Sequence, residues 1–289
     1  MKNKIIEEII ERLIYLSGII AILFVVLIFI FLLKESITFF FETNFIQTLF
    51  GIDWYPISEP PKFGLLPLIM GSILVTLGAI VIAVPFGLAA AIFISEVAPK
   101  WLRDILKTGI ELLAAIPSIV LGFIGIVVLA PIIKTAFDLP SGLTALAGSI
   151  MLAFMAMPTI VSIIEDALSS VPKSYKEGAL ALGATELQTI RRVMLPAAFS
   201  GIIAAVMLGI GRVIGETMAV LMITGNAAIM PNSILQPVRT LTATIAAEMG
   251  EVIQGSLHYQ ALFGIGLILF VITFFINLVA DMFLHRRKA

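Results

Sequence analysis

Apolar residues run along this chain in six stretches, each long enough for a helix of about 20 residues to cross the hydrocarbon core of a bilayer. They lie at roughly Leu13–Leu33, Leu65–Ile94, Ile110–Ile133, Leu143–Ile164, Ala197–Ile223 and Leu262–Phe283. The pattern predicts six transmembrane helices and almost no strand. Pro67 and Pro85 fall in the second stretch, Pro117 and Pro131 in the third, and Pro158 in the fourth. Backbone groups freed by proline find partners inside a helix bundle and not in lipid, so a packed bundle is expected rather than isolated spans. The first stretch is not followed by a small-x-small cleavage site and reads as a retained span.

The polar segments between the stretches set the orientation. With the N-terminus in the cytoplasm, the inner segments hold thirteen of the 18 basic residues: Lys2, Lys4, Arg12, Lys100, Arg103, Lys107, Lys173, Lys176, Arg191, Arg192, Arg286, Arg287 and Lys288. The outer segments hold Lys34, Lys62, Lys134 and Arg239, and Arg212 falls within the fifth stretch. Cytoplasmic loops are enriched in Lys and Arg, so this asymmetry places both termini in the cytoplasm. The outer loop after the first span carries Trp54, Tyr55 and Pro56, which suit either an interfacial aromatic belt or a docking surface.

Composition narrows the function classes. Of 289 residues, 60% are hydrophobic and 13% charged, about half the charged share of a soluble domain. A net charge of −1 is wrong for a nucleic-acid binder. There are no cysteines and two histidines, His258 and His285, which leaves almost no material for a thiol or histidine metal site or a hydrolytic triad. No Gly-x-x-x-x-Gly-Lys-Ser/Thr loop is present, so any ATP-driven step falls to a partner. Glu111 and Glu165 fall at predicted inner span ends and read as interfacial.

Two segments carry candidate chemistry. In the polar stretch 165–195, Pro172 suits a helix start, Lys173–Leu182 reads as a short helix, and Gly183 stands where a left-handed residue ends it. Thr185 and Gln188 form a capping-box pattern that starts a second helix toward Leu195 and Pro196. The product is a helix–glycine–helix elbow, either an ordinary surface hairpin or a lever offered to a partner. In the fifth stretch, Arg212 and Glu216 stand four residues apart, on one face of a continuous helix. An arginine at mid-membrane costs about 2.5–3.5 kcal/mol on insertion scales, so it faces the bundle interior or a wet cavity. Either the pair neutralises itself and fixes packing, or the guanidinium meets a passing oxyanion while Glu216 competes for it and eases release. Gly211 and Gly215 would admit a neighbouring helix beside this stripe.

The elbow resembles a motif of the permease subunits of binding-protein-dependent ABC importers: Glu-Ala-Ala, three residues, Gly, nine residues, Ile, one residue, Leu-Pro. Here Glu177-Gly178-Ala179, Gly183, Val193, Leu195 and Pro196 fall at those spacings, with Gly178 and Val193 as conservative departures. The resemblance implies a type I importer permease in the cell membrane. It also implies that Tyr175, Glu177, Gly178, Ala179 and Gly183 couple to an ATPase. A narrower resemblance, to phosphate-specific importer permeases, rests on Gly211-Arg212-Val213-Ile214-Gly215-Glu216-Thr217. It is extended by Ala115–Val120 with Gly122-Phe123, by Phe63–Pro67 with Gly71, and by Trp54-x-Pro56. Of the two homologous permeases in such importers, the tryptophan–proline loop and Ile110–Leu113 resemble the PstC type. This resemblance implies a pathway role for Arg212, Glu216 and Thr217, a second permease as heterodimer partner, two ATPase subunits carrying ATP-Mg, and an extracytoplasmic phosphate-binding protein. No cofactor is expected on this chain, and no motif extends to Arg239. The expected division is an N-terminal span and outer loop, 1–64, and a permease core, 65–289. Molybdate or sulfate as cargo, and an ATP-independent secondary transporter, are the alternatives.

Overall fold

The computed structural model describes residues 2–285, and Arg286, Arg287 and Lys288 lie outside the described residues. Apart from one short hairpin, the regular structure of the described residues is helical. Its elements are α1 (Lys2–Glu42), α2 (Phe45–Phe50), a two-stranded hairpin of β1 (Trp54–Tyr55) and β2 (Lys62–Phe63), α3 (Leu66–Val97), α4 (Lys100–Ala114) and α5 (Ser118–Ala136). After these come α6 (Ala145–Ser169), α7 (Lys173–Ala181), α8 (Glu186–Ala197), α9 (Phe199–Gly215), α10 (Met218–Ile223), α11 (Leu241–Glu248) and α12 (Leu257–His285). Five of these are long and apolar enough to cross a membrane, or six when α8 and α9, bent 70° apart, are counted as one span.

Helix α6 is the axis of the bundle. Two-thirds of its most apolar window is buried, whereas α1 is exposed over its whole apolar window. Small residues bring α3 against α6: a Cβ on Gly78 would stand 2.3 Å from Ser149 Oγ, and one on Gly87 would stand 2.9 Å from Ile160. Ser149 Oγ donates across the crossing to the Val75 carbonyl, 3.2 Å away. Close approach of backbones with polar bridging is how helices associate where lipid removes the hydrophobic drive between them. Val75, Ala79, Ile160, Ile164 and Leu168 fill the core beside this crossing. A second core gathers Phe39, Trp54, Phe63, Leu68, Leu262 and Ile265 near the hairpin. Helix α1 lies along α12 through ring contacts, Phe29 with Phe270 at 5.4 Å and Phe31 with Phe263 at 5.5 Å.

Two expected spans are differently built. The third does not start at Ile110. Helix α4 stops at Ala114, and the span starts at Ser118 behind Pro117. Proline biases the residue before it away from helix and leaves its own N–H position empty, so it opens a helix more easily than it continues one. Ile110, Leu112 and Leu113 therefore belong to an amphipathic helix with no buried residue, not to a bilayer-crossing one. Pro131 is accommodated because a π turn, Gly125–Leu129, precedes it. The fifth span bends before Phe199 and breaks after Gly215, where Glu216 is extended (φ −70°, ψ 133°). It is thus not continuous from Ala197 to Ile223.

The loops sort to two ends. The hairpin meets the 226–256 segment at one end, and the chain at Glu96–Lys107 meets Glu165–Lys176 at the other. These groupings are the ones expected for outer and inner loops.

Candidate translocation face and coupling elbow

Helix α9 presents two unlike sides. Met207, Ile210 and Ile214 turn toward α3 and α12 and line an apolar groove of about 440 Å3. Leu208, Gly211, Arg212 and Gly215 are exposed on the surface of the chain. A Cβ added to Gly211 or Gly215 would meet nothing within 4 Å, so the expected close helix approach does not occur there within this chain. Gly209 is the tight position instead, with Ile160 2.7 Å from an added Cβ.

Within this chain Arg212 is exposed. Its Nη1 donates to Thr159 Oγ1 at 3.4 Å, a long bond that leaves most of the guanidinium fork unused. Glu216 is the residue at which the helix ends, its backbone turning extended there, and among the described residues no ion pair joins it to Arg212. Its carboxylate accepts the Ala219 N–H at 3.3 Å at the start of α10, and its carbonyl accepts the Thr242 hydroxyl at 2.9 Å. The Thr217 hydroxyl donates to the Gly215 carbonyl at 3.2 Å. Glu216 and Thr217 thus hold the break beside Arg212 rather than neutralising it. Interrupted helices at membrane depth are tolerated where they line a cavity, and they mark substrate sites in other transporters.

The elbow follows the expected local chemistry. Helix α7 starts after Pro172 and ends at Gly183, whose φ is +80°. The Ala184 N–H reaches back to the Ala179 carbonyl at 3.1 Å and the Gly183 N–H to the Leu180 carbonyl at 2.9 Å, closing the helix end. Thr185 and Gln188 form a reciprocal capping box. No residue of α7 is buried; Tyr175, Glu177 and Gly178 are exposed, Ala179 is half-buried, and Leu182 is 91% exposed.

Behind the elbow lies a set of ion pairs with no local signature in the sequence. Glu165, expected at an interface, is buried and pairs with Lys107 at 2.6 Å. Hydrogen bonding to Glu165 holds the Lys107 ammonium above the ordinary lysine pKa. Because the folded pKa is the higher one, this contribution is complete below the unfolded lysine's pKa and is lost only as pH rises through the raised one. The Lys107 contribution therefore does not change around neutral pH. Glu96 pairs with Lys176 of α7, also at 2.6 Å.

The other end holds the cluster that sequence reasoning missed. Glu248 accepts from Trp54 Nε1 (3.1 Å) and Arg239 Nη1 (2.6 Å), and its second oxygen lies 2.8 Å from His258 Nε2. Arg239 Nε also donates to the Asn226 carbonyl at 3.0 Å. These side chains line a cavity of about 950 Å3. Trp54 is 2% exposed, which removes it from any interfacial belt; Tyr55 beside it is exposed. The one available signal was the placement of Arg239, Glu248 and His258 in a single polar segment between apolar stretches.

Five or six membrane-length helices packed through small-residue crossings, with an exposed arginine on a broken span and an exposed elbow, make this a multi-pass helical membrane bundle. The chain belongs to the binding-protein-dependent transport system inner membrane component family, which it matches over residues 83–289. It is 45% identical over 243 residues to the "Probable ABC transporter permease protein YqgH" of Bacillus subtilis, covering 84% of this chain and 79% of that one. It is 40% identical over 255 residues to the phosphate transport system permease protein PstC of Mesorhizobium japonicum, covering 82% and 77%. The fold matches a chain of a bacterial alginate ABC transporter with a TM-score of 0.67 at 15% identity, covering 95% of this chain and 94% of that one. It is a multi-pass protein of the cytoplasmic membrane.

Proposed function

We propose that this chain is the PstC-type permease of an ATP-driven importer and forms half of the membrane path for inorganic phosphate. The carrying observation is Arg212, an exposed guanidinium on a spanning helix with one long hydrogen bond, beside a break held by Glu216 and Thr217. A guanidinium fork matches phosphate oxygens bidentately. At about 5 Å and an effective dielectric of about 20, the attraction is about 3 kcal/mol per unit charge. With Glu216 turned to Ala219, release rests on movement of the helices rather than on a competing carboxylate. Relatives named as phosphate permeases support phosphate over molybdate or sulfate. The elbow end, which carries Lys100, Arg103, Lys107, Lys173, Lys176, Arg191 and Arg192, faces the cytoplasm with both termini. A second homologous permease covers the Arg212 face and two ATPase subunits carry ATP-Mg and grip the elbows. An extracytoplasmic phosphate-binding protein meets the hairpin end.

The test is uptake of radiolabelled phosphate into proteoliposomes holding the complete complex. Uptake is expected to require ATP and to be suppressed by excess unlabelled phosphate but not by sulfate or molybdate. Equal suppression by either competitor contradicts the cargo assignment, and ATP-independent uptake by this chain alone contradicts the importer assignment.

A further inference from the structure

A helix that moves a bundle has to be fixed to it at more than its two ends. Helix α7 is joined to α6 through Ser170–Pro172 and to α8 through Gly183, and it buries none of its own side chains. Its hold on the bundle between those two joints therefore depends on what its side chains reach. Among the hydrogen bonds and ion pairs of the described residues, Lys176–Glu96 is the one that joins α7 to a spanning helix.

Its far end is firmly set. The Glu96 side chain is 6% exposed, against 38% for Lys176. One carboxylate oxygen takes Lys176 and the other accepts Ser95 Oγ at 3.1 Å. Glu96 sits in the π turn Phe93–Val97 that ends α3. The carbonyls of that turn are taken by Arg103 of α4, with Nε on the Ile94 oxygen at 2.8 Å and Nη2 on the Ser95 oxygen. One helical turn further along α4, Lys107 pairs with Glu165 of α6, whose other oxygen accepts Ser169 Oγ at 3.1 Å. A line of charged contacts thus runs from α7 through Glu96 into α3, and through α4 into α6. Those two spans make the central crossing of the bundle. A charge-assisted bond between a fixed carboxylate and a lysine is shorter and stronger than a neutral one, so it holds its two ends at a set distance.

We propose that Lys176 and Glu96 are positioning residues for transport, tying the elbow to the α3–α6 pair so that movement of α7 becomes movement of the pathway. This rests on the reading of the elbow as the ATPase dock. The chain has no cysteine, so paired cysteines would be the only thiols on this subunit. In the assembled complex, Glu96→Gln and Lys176→Met are expected to leave ATP hydrolysis intact. Phosphate imported per ATP should fall about tenfold, the scale of one lost charge-assisted hydrogen bond. Lys176→Arg keeps the pair and should keep the ratio. In the Glu96→Cys, Lys176→Cys double variant the ratio should be low, and a short bis-maleimide crosslink should restore it.

A native ratio in Lys176→Met overturns the tie, as does a crosslink that forms without restoring coupling. Lys176 is half-exposed, so its variant reports even where Glu96→Gln fails to fold. Leu182→Glu, on the exposed elbow surface, separates this from failure of the dock. Retention of the ATPases by Leu182→Glu overturns the dock itself. Their loss, together with native coupling in Lys176→Met, overturns only the tie.

Discussion

Arg212→Ala is expected to abolish phosphate uptake, with a fall of about 100-fold or more, the rate equivalent of losing about 3 kcal/mol of attraction along the path. Assembly is expected to survive. The side chain is exposed and its one hydrogen bond among the described residues is long, so truncation removes little that holds the fold. Removing an unpaired charge from a spanning helix also relieves an insertion cost of about 2.5–3.5 kcal/mol. Arg212→Lys keeps the charge but loses the bidentate fork and should retain partial uptake. The check is uptake by complexes matched for subunit content. Uptake within twofold of the parent in a well-assembled Arg212→Ala complex would sink the pathway role.

Gly183→Glu is expected to uncouple ATP hydrolysis from transport. At φ +80° a residue with a Cβ costs about 1–2 kcal/mol, and no neighbour stands within 4 Å of the added atom, so the penalty is conformational and not steric. The elbow escapes that penalty by opening its angle, which moves α7 relative to the bundle. Phosphate transported per ATP should fall about tenfold, in proportion to a penalty of that size, with hydrolysis retained. Gly183→Asn should be milder, since asparagine visits the left-handed region more readily. The measurement is the ratio of uptake to hydrolysis in one preparation, and an unaltered ratio in Gly183→Glu would count against the lever.

What was legible in the sequence was local. Pro172, Gly183, Thr185 and Gln188 each act within one turn of the backbone, and the elbow they predict is the elbow found. The first, second, fourth and sixth spans followed from length and apolarity alone, because a bilayer tests little else. The third and fifth were misread where one residue outweighs composition. Pro117 starts a helix inside an apolar run, and an extended Glu216 ends one inside a motif that looked helical throughout. The continuous helix expected past Glu216, and with it an Arg212–Glu216 ion pair, failed at that break, although the motif had singled out both residues. Long-range pairing left no trace. Glu96 and Lys176 are 80 positions apart, and Trp54 and Glu248 are 194 apart, so no periodicity connects them. The buried state of Trp54 and Glu165 is likewise a property of the packed bundle. An aromatic or a carboxylate near a span end looks the same in sequence whether it faces lipid headgroups or a partner side chain.

The most direct test of the phosphate path is accessibility beside Arg212 in the assembled complex. Leu208 stands one helical turn away on the same exposed face, and the absence of native cysteine makes Leu208→Cys the single thiol on this subunit. The sulfhydryl is expected to react with a small, charged, membrane-impermeant thiol reagent, and phosphate supplied during ATP turnover is expected to slow that reaction. A thiol that no aqueous reagent reaches from either side, with or without ATP, would mean that this face of α9 meets lipid or dry protein and that phosphate does not pass Arg212.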